Sequence, residues 1–136
     1  MQLEQLPGVG IEQLTRMQAA GIGSCRQLLR AGQKRGKLSH LAKTTGLPHE
    51  EIRSLVQAAE LSQIRGIGPT TLAHLWEVGV DSLENLAGQE PEPLQMQLQQ
   101  VAARSPNLAV IENWILQARQ QKGRRTATLL QPGFVP

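Results

Sequence analysis

With 136 residues the chain can form one ordinary domain or two very small ones, and with 40% hydrophobic residues it can build a core rather than stay disordered. One Phe, two Trp and no Tyr make that core aliphatic and exclude aromatic base-stacking as a main activity. The net charge of +3 is uneven: residues 1–49 carry seven Lys/Arg against two acids, residues 50–112 three against nine, and residues 113–136 four against none, so either basic end could face an acidic partner.

The first helical signal follows "LPGVG". Two glycines, Gly8 and Gly10, flank Val9, and a helix begins at Ile11 and stops at Gly21. Ser24 then suits an N-cap, with Leu28 and Leu29 on the buried face of the helix behind it. "QKRG" interrupts the pattern between Gly32 and Gly36 and reads as a basic loop. "KLSHLAKTTGLPHEEIRSLVQAAEL" (37–61) reads as helix, a turn at Thr45–Pro48, and a second helix burying Ile52, Leu55, Val56 and Ala59.

The pattern then starts again. "IRGIGPTTLAHLWEVGV" places Gly66 and Gly68 around Ile67, and Pro69 suits the first helical position. Leu72, Leu75 and Val78 make a helical face with Trp76 beside it, Gly79 is the stop, and Asp81 or Ser82 caps a helix carrying Leu83, Leu86 and Ala87. Residues 93–120 read as helix, a turn at Ser105–Asn107, and a helix burying Leu108, Ile111, Ile115 and Ala118 near Trp114. "KGRRTATLLQPGFVP" (122–136) is basic, then apolar, and a flexible tail is expected over 123–136.

Shifting the chain by 58 positions lays residues 3–29 over 61–87 with eight identities: Leu3/Leu61, Gln5/Gln63, Gly8/Gly66, Gly10/Gly68, Leu14/Leu72, Gly21/Gly79, Ser24/Ser82 and Leu28/Leu86. The matches fall on glycines and apolar positions, which geometry restricts, so the chain reads as an internal duplication. The expected fold is all-α: a first unit over 1–60 and a second over 61–122, packed as one body.

The glycine–apolar–glycine turn, the helix, the glycine stop and the second short helix resemble the helix-hairpin-helix family. "IRGIGPTTLAHLWEVGVDSLENLA" is similar to the first hairpin of the small N-terminal domain of archaeal and eukaryotic RecA-like recombinases, and "LAKTTGLPHEEIRSLVQAAE" to its second. The chain also resembles an uncharacterised bacterial family, common in cyanobacteria, built from such units. The resemblance covers residues 3–120 and implies two tandem double helix-hairpin-helix (SAM-like) units. It further implies non-sequence-specific binding of double-stranded DNA, with phosphates seated on bare backbone N–H groups at a helix start.

The candidate DNA-binding residues are Gly8, Val9 and Gly10 in the first turn, Gly66, Ile67, Gly68, Thr70 and Thr71 in the second, and Lys34, Arg35 and Lys37 in the basic loop. Such hairpins commonly carry Lys or Arg two or three residues after the second glycine. Here those places hold Glu12 and Gln13, then Thr70 and Thr71, which makes the second turn the better phosphate seat. An alternative stays open: the turns only join helices, and the chain is a protein-interaction module or scaffold.

No catalytic constellation stands out, so an enzyme is not expected. Cys25 aligns with Leu83 and reads as a buried apolar residue, and His40, His49 and His74 lack metal-ligand spacing. No metal, cofactor or small-molecule substrate is indicated. Short apolar runs exclude a membrane helix, the first residues do not read as a secretory signal, and one cysteine fits a reducing compartment, so the expected location is cytoplasmic.

Overall fold

The computed structural model describes residues 2–32 and 37–129, with side chains through residue 121. Among these residues every regular element is helical, as expected for an all-α chain. After a short 3-10 turn at Leu3–Gln5 come α1 (Ile11–Ala19), α2 (Cys25–Gly32), α3 (Lys37–Thr45) and α4 (His49–Leu61). The second half holds α5 (Pro69–Glu77), α6 (Leu83–Ala87), α7 (Pro91–Val101) and α8 (Leu108–Leu129).

The duplication extends to individual hydrogen bonds. α5 spans the residues of α1 shifted by 58, and α6 starts where α2 does under the same shift. Val9 N–H donates to Leu6 O (3.4 Å) as Ile67 N–H does to Ile64 O (3.2 Å), and Leu14 N–H to Gly10 O (3.0 Å) as Leu72 N–H does to Gly68 O (2.9 Å). Both helices end in the same way. Ile22 N–H bonds to Met17 O (2.9 Å) and Gly21 N–H to Gln18 O (3.0 Å). Val80 N–H bonds to Leu75 O (2.8 Å) and Gly79 N–H to Trp76 O (3.1 Å). This crossed pair needs a left-handed residue, supplied by Gly21 (φ +85°) and Gly79 (φ +88°). It also brings two apolar side chains together at each stop, and Met17, Ile22, Leu75 and Val80 are all buried. Val78 closes α5 as its half-buried cap and packs against the core beside Leu72 and Leu75. Ser82, not Asp81, caps α6, accepting from Asn85 N–H (3.0 Å), as Ser24 accepts from Gln27 N–H (3.1 Å).

One apolar cluster runs through both halves, from Leu3 and Met17 through Ile52 and Leu61 to Leu72, Leu86, Leu98 and Ile111. α4 packs on α2 and α3 and reaches α6, while α8 lies along α6 and α7. Aliphatic residues dominate the cluster, as the composition requires; among the described residues Trp114 is its one buried aromatic member. Burying each such side chain stabilises the fold by about 1.5–3 kcal/mol against leaving it exposed.

α8 continues past residue 122 to Leu129, and residues 130–136 of the expected tail lie outside the described residues. No helix among the described residues is long and apolar enough to cross a membrane.

Candidate functional site

The two glycine–apolar–glycine turns share one backbone and differ in what surrounds them. In each, the first glycine is left-handed (Gly8 φ +82°, Gly66 φ +96°). The second is extended and starts the helix, Gly10 at φ −97° and Gly68 at φ −94°. Between them Ile67 is buried and Val9 half-buried, so these side chains anchor the turns and only backbone is offered outward.

At the first turn that backbone is partly taken. Gly10 N–H donates to the side-chain Oε1 of Gln13 (3.0 Å), and a Cβ on Gly10 would stand 2.8 Å from that oxygen. Glu12 adds a carboxylate to the first turn of α1, held by Arg16 at 3.1 Å. A cleft of about 340 Å³ beside this turn is lined by Pro7, Gly8, Glu50, Glu51 and Trp76, among others. An anion approaching Gly8–Gly10 therefore meets acids and an occupied amide.

At the second turn the backbone is open. Position 71, which matches Gln13, holds Thr71, and no side chain folds back onto Gly68. The N–H groups of Gly68, Thr70 and Thr71 have no partner among the described residues, Pro69 carries none, and nothing lies within 4 Å of a Cβ built on Gly68. The first turn of α5 contains no acid. These open donors, with the positive end of the helix dipole, form an anion-attracting surface.

Sequence reasoning overlooked what braces this turn. The side chain of Gln117 on α8 accepts from Arg65 N–H (2.9 Å) and donates to Arg65 O (3.2 Å). The matching residue in the first half is Pro7, which has no N–H to satisfy, and Ala59 stands where Gln117 would be. Asking where the Arg65 N–H goes was the available signal. The clamp sets the exposed Arg65 beside the open turn and draws α8 along it. Lys122, Arg124 and Arg125 follow on the same helix within the next two turns.

The other candidate residues are not brought to this place by any contact. Lys34 and Arg35 lie outside the described residues. Lys37 is exposed at the first position of α3. Arg16 fastens α1 to the far end of that helix by donating to Gly46 O (3.2 Å), which is about 13 Å along α3 from Lys37. Cys25 is buried, and burial pushes its thiol pKa up, away from a reactive thiolate. No group of three His, Cys, Asp or Glu residues gathers to hold a metal among the described residues.

No curated protein and no solved structure gives a significant match to this chain. A family model described as a domain of unknown function, DUF4332, matches residues 7–121. That span runs from the turn before α1 to the glutamines of α8 beside Arg65, taking in both copies of the repeat, and on it the chain belongs to the DUF4332 family.

Proposed function

We propose that this chain is a non-enzymatic binder of double-stranded DNA that holds the phosphate backbone without reading sequence, with the start of α5 as its principal seat. The observation that carries the reading is the set of unpartnered N–H groups at Gly68, Thr70 and Thr71, in open space beside Arg65. The resemblance of both turns to helix-hairpin-helix motifs supports it, as do the basic residues that α8 carries past Arg65. Contacts of this kind go to phosphate and carry no base information. The first turn, closed by Gln13 and flanked by acids, is the weaker seat.

The repeat itself supplies the test. Thr71→Gln places at the second turn the side chain that closes the first. Its amide oxygen would accept from Gly68 N–H without adding charge, and duplex affinity should fall about tenfold, the loss of one charge-assisted hydrogen bond. Unchanged affinity, with the fold intact by circular dichroism, would remove the α5 start from the reading.

A second reading rests on the cleft at the first turn. Glu50 and Glu51 face it together with Trp76, a combination suited to a Lys or Arg side chain of a protein partner. An arginine-rich peptide should then change tryptophan fluorescence saturably, and Glu50→Gln/Glu51→Gln should abolish the change. No change with the native chain would end this reading.

A further inference from the structure

Beside the second turn lies a cleft of about 590 Å³ between the Arg65 segment and α8. Gln63, Arg65, Asn113, Leu116, Gln120 and Gln121 line it together with the Gln117 clamp, and no carboxylate is among the lining residues. Its hydrogen-bonding groups are only partly used. Asn113 Oδ1 accepts from Gln117 Nε2 (2.6 Å), which leaves the Asn113 amide hydrogens free to donate. Gln63 Nε2 donates to Ser62 Oγ (3.3 Å), which leaves the Gln63 carbonyl free to accept. The Arg65 guanidinium has no acidic partner among the described residues. Leu116, 53% exposed, supplies one apolar wall.

We propose that this cleft receives a single unpaired nucleotide of a DNA strand whose phosphate is held at the start of α5. The inference rests on the DNA-binding reading above and goes beyond it by adding a preference for a defect in the duplex. The volume falls in the range of small-ligand pockets. Donors, acceptors and one cation, with no competing negative charge, match a base edge and its phosphate. A paired base would have to leave the stack to enter, whereas a bulged nucleotide is already free. No aromatic residue among the described residues lines the cleft, so recognition comes from hydrogen bonds to the base edge rather than from stacking.

The test compares a fully paired labelled duplex with the same duplex carrying one bulged nucleotide, by fluorescence anisotropy. The native chain should bind the bulged duplex about tenfold more tightly. Asn113→Ala/Gln120→Ala, two changes on exposed positions of α8, should bring the ratio of the two affinities close to one. Equal affinity of the native chain for both duplexes would overturn the inference and leave the DNA-binding reading standing. A bulge preference that survives in the double variant would also overturn it, by placing the preference elsewhere. Failure to bind either duplex would overturn both.

Discussion

Trp76, in the second half, covers Gly8 in the first: a Cβ on Gly8 would stand 3.3 Å from the indole Cη2. Trp114 lies against Gly66 in the same manner, its Nε1 2.9 Å from the place of a Gly66 Cβ. Each turn is thus roofed by an indole, and the first roof belongs to the other half of the molecule. Both indole N–H groups are buried without a partner, so the rings serve as apolar covers.

Replacing the first roof tests how far it joins the halves. Trp76→Ala should destabilise by about 2–3 kcal/mol in urea unfolding, somewhat below the loss for a fully buried Trp because Trp76 is half-buried. Trp76→Phe should cost less than half as much, since it also removes a buried N–H that finds no partner. Equal losses for the two variants would contradict the roofing of Gly8 by the ring.

The positive-φ glycines should form a graded series on replacement by Ala. Gly79→Ala meets only backbone strain, because nothing lies within 4 Å of its Cβ, and should cost about 1–2 kcal/mol. Gly8→Ala adds a tight contact with Trp76, and Gly66→Ala a clash with the rigid indole of Trp114. Urea midpoints should fall in the order Gly79→Ala, Gly8→Ala, Gly66→Ala, the last unfolding earliest; the reverse order would contradict the roofing contacts.

The Gln117 clamp gives a local signature. Gln117→Ala frees both backbone groups of Arg65, which are exposed enough to turn to water, so global stability should drop by only about 0.5–1.5 kcal/mol. Amide hydrogen exchange at Arg65 should speed up markedly while the Leu72 amide, bonded within α5, keeps its protection.

The thiol of Cys25 should be slow to react with a disulfide reagent in the folded chain and fast in denaturant, because it is 1% exposed. Burial raises its pKa, so the folded chain keeps a proton that the unfolded chain releases near pH 9. Its contribution to stability is therefore complete below that pH and is lost as pH rises above it. The melting temperature of the native chain should fall more between pH 8 and pH 10 than that of Cys25→Ala.

Much of this architecture could be read from residue types that restrict the backbone. Gly66, Gly68, Pro69, Gly79 and Ser82 mark a turn, a helix start, a stop and a cap, and the 58-residue shift carried those marks onto the first half. The closure of the first turn was also within reach, since a Gln three residues after the helix start is the residue that folds back onto the N-cap amide. The roofing tryptophans were not: helical spacing placed Trp76 near an apolar face, but only the packing of the halves sets it over Gly8. The extent of α8 was hidden as well, because Gly123 and the arginines after it lack a hydrophobic period. The backbone nevertheless continues through them to Leu129.

The central claim, that open backbone amides at α5 hold DNA phosphates, is tested most directly by salt-dependent anisotropy of the native chain with a labelled random-sequence duplex. The account predicts binding at low salt whose logarithm falls linearly with the logarithm of salt concentration, equal for unrelated sequences. Absence of binding at low salt, or affinity that differs strongly between fully paired sequences, would contradict it.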